Sequence, residues 1–349
     1  MKRRMIVGLL IIAVLLNMSG CAKKEPARYE ATFLELFDTV TTIAGFGRSE
    51  EEFSAFAQAV HDDLEEYHQL YDIYNDYEGI NNIKTINDNA GISPVKVDVR
   101  IIDLLGFSID VAEITDGEIN IAFGAVLRVW HDYRTEGIDD PENSKLPPME
   151  LLKEKSEHTD INKLIIDKSA GTVFLEDPEM RLDVGAIAKG YATEMVARDM
   201  IAEGYQNAML SVGGNVRTIG SKQDGAAWNV GIQNPDMESE QANLYVLRLK
   251  DYSLVTSGDY QRYYTVEGKK YHHIIDPDTL MPADYYTAVS IICKDSGMAD
   301  ALSTSVFNMT YEQGLALIED LEDTEALWIF KNGSMKQSSG FNRLIPTEE

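Results

Sequence analysis

The stretch HHIIDPDTLMPADYYTAVSIICKDSGMADALST, residues 272–304, packs two histidines, an Asp-Pro turn, an apolar strand and the opening of a helix into one supersecondary unit. Residues 287–293 read as the strand and 299–309 as the helix. In that helix Asp300 and Thr304 stand four apart, which puts a carboxylate and a hydroxyl on one face. Hard oxygen ligands side by side suit Mg²⁺, which takes one or two carboxylates and keeps positions for substrate phosphates. Read alone, an Asp early in a helix is more ordinarily a cap or a dipole partner. Upstream, residues 271–275 read as a strand, so alternation sends His272 and His273 to opposite faces and only one can enter a given site. His273 shares parity with Ile275, and Asp276 sits at the turn just beyond. A histidine near neutrality is a natural general base for a hydroxyl.

Around this unit the chain alternates between strands and helices. Residues 51–74 place Phe53, Phe56, Ala57, Val60, Leu64, Tyr67, Leu70 and Tyr71 at helical spacing, and residues 99–115 make a second amphipathic helix closed by the glycine of TDGEIN. Residues 121–130 are an apolar segment, and 135–148, charged and holding three prolines, read as an exposed excursion. Residues 164–166 and 172–175 flank a turn, 181–184 read as a short strand, and a helix follows to about residue 203 with Ala192, Met195, Val196 and Met200 inward. Strands are expected at 28–46, 208–212, 228–232, 244–249, 253–257, 262–266 and 326–330. The order implies an α+β fold of mixed, mostly antiparallel sheets with packed helices.

Three further constellations could carry chemistry. DVGAIAKG, residues 183–190, closes a strand with Asp183, frees the backbone with two glycines and sets Lys189 in the first turn of a helix. Helix-start N–H groups and a lysine there favour anions, and a turn carbonyl such as that of Ala186 could face a metal. The spacing is not that of a Walker A loop. SVGGN (211–215) and TSGDYQR (256–262) are strand ends whose glycines admit either a plain turn or close backbone approach to a ligand. No Cys/His cluster has zinc-ligand spacing.

The formal charge is −27, from 58 acidic against 31 basic residues. Such a surface repels nucleic acid and anionic lipid, so a phosphorylated ligand needs local charge to overcome the general field. Residues 1–20 read as a secretory signal, with Lys2, Arg3 and Arg4 before an apolar run too short for a membrane span. The ending Met18-Ser19-Gly20-Cys21 resembles a lipobox, which implies lipidation of Cys21, a tether over 21–30 and an extracytoplasmic, lipid-anchored protein. Residues 31–349 are expected to form a single domain. Cys293, without a partner, is expected as a buried core thiol.

In order and spacing, FDTVTT, TDGEINIAFGAVLRVW, RLDVGAIAKGYATE, LSVGGNV, LVTSGDYQRYY, HHIIDPDTLMP and MADALSTSVF resemble the ApbE family, the FAD:protein FMN transferases, across about residues 33–330. The resemblance implies an ApbE-like, T-fold-like architecture. It also implies a Mg²⁺-dependent enzyme that takes FAD, esterifies its FMN half onto a Ser or Thr of an acceptor protein and releases AMP. Asp300, Thr304 and the Ala186 carbonyl fall on the family's metal positions. Phe37, Tyr74, Glu118, Ile119, Asn120, Asp183, Lys189 and Ile275 fall on its flavin-contacting positions, and His273 on its proposed catalytic histidine, with Asp276 the alternative base or the orienter of the histidine. The chain departs from the family at Phe37, where Met is common, at Asn120-Ile121, where Asp-Thr is common, and in the Tyr74 loop, which lacks the family's usual Ser-Arg/Asn pattern. The implied acceptors are exported flavoproteins, such as subunits of flavin-linked redox pumps, and no nucleic acid. An FAD pyrophosphatase yielding FMN and AMP, or a non-catalytic FAD-binding lipoprotein, would use the same residues.

Overall fold

The computed structural model describes residues 25–346; the leader at 1–20 and Cys21 lie outside them. Eight strands form the central sheet: β1 (Ala27–Phe33), β2 (Thr41–Gly47), β3 (Asn207–Val212), β4 (Asn215–Gly220), β5 (Ser253–Gly258), β6 (Tyr286–Cys293), β7 (Glu325–Phe330) and β8 (Met335–Gln337). They lie side by side in chain order, each antiparallel to its neighbour. The α+β, mostly antiparallel reading is therefore borne out. Long insertions interrupt this meander. Residues 48–206 between β2 and β3 supply α1 (Glu50–Tyr71), α2 (Val99–Ile114), α3 (Gly124–Asp139), α4 (Ala188–Ala202) and a three-stranded sheet. A further helix, α5 (Ser296–Asn308), joins β6 to the last strands.

Each element follows from local chemistry. Ser49 caps α1 by accepting from the Glu52 N–H, three glutamates sit in its positive first turn, and the eight apolar positions at helical spacing are all buried. β6 reads YTAVSIIC because it is covered on both faces. Val289, Ile291 and Cys293 pack under α5, while Ala288 and Ile292 face the hairpin of Trp228–Gln233 and Asn243–Leu249. Cys293 is buried as expected, and burial pushes its thiol up to about 12. α4 is apolar or buried nearly all round because it lies between α1, α5 and the sheet, with Met195 only partly covered.

The structure changes five expectations. The single strand expected over 28–46 is two, β1 and β2, parted by a 3₁₀ turn at Leu36–Asp38 that reverses the chain. Helix α3 runs through both the apolar segment and the start of the supposed excursion, because Val126 and Trp130 share a face and bury against the hairpin of Tyr263–Val266 and Lys269–His272. Residues 140–148 are anchored rather than free: Ser144 donates to the Thr265 carbonyl (2.7 Å) and Tyr264 to that of Lys145 (3.0 Å). Residues 181–184 form only a bridge, Phe123 with Arg181, since the partner segment turns at once into α3. The strand expected over 271–275 ends at His272, where the chain turns away toward Asp276. Among the described residues no helix is long and apolar enough to cross a membrane.

Candidate active site

One cleft of about 470 Å³ opens between the α4–α5 body and the layer made by α3 and the 263–272 hairpin, and every expected site residue except Asp276 lines it. Its floor is the crossing of α4 and α5. Helix α4 begins after Ile187, which has no side-chain oxygen to cap it, and Asp300 of α5 does the work from across the interface: its Oδ2 accepts the Gly190 N–H at 2.8 Å. The crossing must be close for this, and a Cβ on Gly190 would lie 2.3 Å from the Ser296 carbonyl oxygen and 2.4 Å from the Asp300 Cβ. Because the Gly190 N–H goes to Asp300, the carbonyl of Ala186 accepts no hydrogen bond among the described residues. Helix numbering thus leaves a free carbonyl one turn from a buried carboxylate.

Asp300 is 5% exposed, and burial raises its carboxyl against the opposing pull of Lys189 and the Gly190 N–H. Among the described residues no cationic side chain forms an ion pair with it. Thr304, one turn on, keeps only a long contact of 3.4 Å from its hydroxyl to Ser257. The buried Oδ1 of Asn308, on the cleft wall, has no partner among the described residues, and the Asn215 amide beside Asp300 helps to lower that carboxyl. A buried carboxylate, a hydroxyl, a free carbonyl and the orphaned amide oxygen of Asn308 form an oxygen-rich set that suits a hard divalent cation. Behind it, Glu194 of α4 accepts from Arg217 Nε (2.8 Å), Arg198 Nε (2.9 Å) and the Ser296 N–H (3.0 Å), which fixes the start of α5. Asp295 caps α5 through the Met298 N–H, so the capping role open to Asp300 at its own helix belongs to Asp295.

The walls carry the remaining residues. Asp183 is placed by its N–H to the Ile121 carbonyl (2.8 Å) and accepts the Gly185 N–H (2.9 Å), while Lys189 turns back toward the Gly185 carbonyl (3.4 Å). SVGGN proves to be the two-residue turn between β3 and β4, with Gly213 and Gly214 both at positive φ and Gly213 seated on Thr39. At the other end Phe37 and Asp38 are consecutive non-glycine residues at φ of 53° and 52°, with the Phe37 ring edge-on to His68. Strained backbone of this kind gathers at functional clefts. Glu118 is half buried and its carboxyl is raised by desolvation and by Asp278, Asp276 and Asp116. Asn120 builds the turn into α3, accepting the Ala122 N–H and donating to the Thr159 carbonyl.

The two histidines part as alternation requires. His272 is buried against the Ala283 carbonyl (2.8 Å), on the far side, whereas His273 lines the cleft with Nδ1 near the Arg262 carbonyl (3.2 Å). Desolvation, then Arg262 and Arg134, hold the His273 imidazole down to about 3, so it is neutral at rest. Asp276, expected as an alternative base, is occupied otherwise: its Oδ1 accepts the Asp278 and Thr279 N–H groups, making the turn that ends the histidine segment.

The cleft also gathers His68, His131, Arg134, Arg262 and Asn308, which were not singled out. Arg262 and Asn215 lie inside motifs that were quoted. His131 and Arg134 sit one turn apart on α3 with no sequence signal beyond their charge. Arg134, Arg262 and Lys189 give this acidic protein a local patch suited to a phosphorylated ligand.

The chain matches the model of the ApbE family over residues 37–328. A Treponema pallidum protein named FAD:protein FMN transferase is 34% identical over 272 residues, 74% of this chain and 73% of its own length. A Klebsiella pneumoniae protein of the same name is 30% identical over 277 residues, 78% of this chain and 83% of its own. The solved ApbE protein of Thermotoga maritima has a TM-score of 0.80 at 28% identity, covering 92% of this chain and 100% of that one. The flavin transferase ApbE of Vibrio cholerae, at 24% identity and a TM-score of 0.76 over 92% of this chain and 100% of its own, shares the fold.

Proposed function

This chain belongs to the ApbE family, and from that premise we propose how its cleft performs the family's reaction. The protein is a transferase that moves FMN from FAD to a protein. Beyond that, FAD lies along the cleft with its flavin ring toward Phe37, Tyr74 and residues 118–120, near Ile275, and its pyrophosphate over Asp183, Lys189 and the α4–α5 crossing. Mg²⁺ would be held by Asp300, Thr304 and the Ala186 carbonyl, where it would offset the pyrophosphate charge and that of the departing AMP phosphate. The acceptor is a Ser or Thr hydroxyl, and neutral His273 takes its proton as the oxygen attacks the FMN phosphorus. The P–O bond to AMP breaks, and AMP leaves with the bonding electrons. Arg134 and Arg262 hold the anionic substrate while keeping His273 unprotonated before attack.

The observation that carries this reading is the Asp300 arrangement: one buried carboxylate caps α4, thereby frees the Ala186 carbonyl, and stands one turn from Thr304. The N-terminal pattern supports export and a lipid anchor on Cys21, which places the acceptor outside the cytoplasm, as an exported flavoprotein such as a redox-pump subunit. Membrane fractionation of the Cys21→Ala variant tests the anchor, which is wrong if that variant sediments with membranes as before.

The reaction is tested with FAD, Mg²⁺ and an exported flavoprotein domain bearing a candidate Thr, following acceptor mass and released nucleotides. The expected result is an FMN-sized mass gain with stoichiometric AMP, lost when the metal is chelated. Metal-dependent AMP with free FMN and no mass gain would point instead to hydrolysis. Transfer that survives chelation would overturn the metal assignment.

A further inference from the structure

A second chamber of about 520 Å³ adjoins the cleft, lined by Lys84, Arg128, Arg181 and the start of α3. The two cavities share Ile73, Tyr74, His131 and Asp183 as walls. Between them stands a single side-chain bridge: the Tyr74 hydroxyl lies 2.8 Å from His131 Nδ1, with the rings 5.9 Å apart. Tyr74 is 51% exposed, an uncovered aromatic ring on the lip of a cleft. Its backbone is fixed from its own loop, where Asp72 Oδ1 accepts the N–H groups of Tyr74 (2.6 Å) and Asn75 (3.1 Å). Its side chain makes no other hydrogen bond among the described residues, so the hydrogen bond that orients the ring comes from α3, through His131.

Resting on the flavin-transfer reading above, we propose that His131 is a positioning residue. Its hydrogen bond locks the Tyr74 ring as the partition between the two chambers and presents the ring face for flavin stacking. An aromatic on a loop that is free to rotate must be ordered when the ligand binds, and that entropy is subtracted from affinity. A ring already held avoids this cost. The charges around the pair favour it. Burial, with Arg134 and Arg128 and against Asp183, lowers the His131 imidazole, so it stays neutral and one ring nitrogen can accept. Burial and Asp183 push the Tyr74 phenol up to about 12, so it keeps its proton and donates. The bridge therefore persists through neutral pH.

The test is FAD affinity of the full-length protein, read from quenching of flavin fluorescence, in a double-mutant cycle. His131→Ala and Tyr74→Phe are each expected to weaken FAD by roughly three- to tenfold, the worth of one net hydrogen bond. The double variant should be no weaker than the worse single one, because both remove the same bridge. His131→Asn, whose amide reaches the position of Nδ1, should recover most of the loss, which a merely structural role for the imidazole would not predict. Losses that multiply in the double variant, or His131→Ala binding FAD as tightly as the unsubstituted protein, would overturn the proposal. Tyr74→Ala separates the two levels. If it weakens FAD while His131→Ala does not, the pairing fails and the flavin contact stands; if Tyr74→Ala binds normally, the flavin placement itself is wrong.

Discussion

The α4–α5 end of the cleft is assembled from helices crossing at a glycine, whereas the end holding Phe37, Tyr74 and residues 118–120 is assembled from loops. At the first end the framework is fixed from within: Asp300 meets the Gly190 N–H, Glu194 holds the start of α5, and Glu194 is itself held by the buried Arg217 and by Arg198. At the second, Phe37 and Asp38 are held in strained backbone and Tyr74 depends on one hydrogen bond to another element. The difference fits what each end is proposed to handle. Opposed charges at close range reward placement within fractions of an ångström, so they call for rigid elements. A flat ring is bound by area, which tolerates adjustment and can be served by loops. The departures from the family pattern at Phe37 and Asn120 fall at the tolerant end.

Breaking the rigid end should have the largest effect. Asp300→Asn keeps an acceptor for the Gly190 N–H but removes the charge, and is expected to lower FMN transfer by about a thousandfold or more with the fold retained by circular dichroism. Asp300→Ala should also lose stability, by about 1–3 kcal/mol, because the buried N–H is left unpaired. Equal transfer by Asp300→Asn and the unsubstituted enzyme would remove the contrast between the two ends. Next, His273→Ala should slow transfer by about 10²–10⁴, the usual contribution of a general base. With the His273 imidazole lowered to about 3, the acid limb of the rate profile should lie well below pH 6.5. A limb centred at 6.5 would assign the proton transfer elsewhere.

Gly190→Ala tests the crossing without removing a polar group. Its Cβ meets backbone at 2.3 Å, so the helices must separate, at a cost of roughly 2–4 kcal/mol and a melting temperature lower by several degrees. The histidines should lower stability as pH drops below 6.5. His131, His272 and His273 all have lowered values, so the unfolded chain takes up protons through 6.5 before the folded one does, and proton uptake by the unfolded state favours unfolding. The raised carboxyls of Glu118, Asp295 and Asp300 act in the opposite sense, so the histidine contribution is read as the difference between thermal melts of the unsubstituted protein and of His272→Gln from pH 7.5 to 5, and a slope unchanged by that substitution would contradict the His272 environment. The smallest effect belongs to the loop end. Asp38 is exposed at positive φ, so Asp38→Gly should change stability by no more than about 1 kcal/mol, with any gain accompanied by weaker FAD binding.

The sequence alone carried the helix faces and the sheet class, because both rest on periodicities that survive folding. The buried list of α1 is legible from spacing, and so is the separation of His272 from His273 across a strand. The seven ordered motifs likewise hold eleven of the twelve expected residues that meet in one cleft, and Tyr74, between the first two motifs, is the twelfth. Tertiary structure decided what spacing cannot encode. Asp276 became a turn residue because two backbone N–H groups reached it first, and 135–148 became anchored because the 263–272 hairpin lay against it. His131 and Arg134 joined the site only when α3, a helix the apolar segment half concealed, was laid along the cleft. The freed Ala186 carbonyl exists because Asp300, 110 residues further along the chain than Gly190, claims that glycine's N–H. Local patterning is set by neighbours in sequence; which polar group satisfies which, and so which is left free for chemistry, is settled only where distant elements cross.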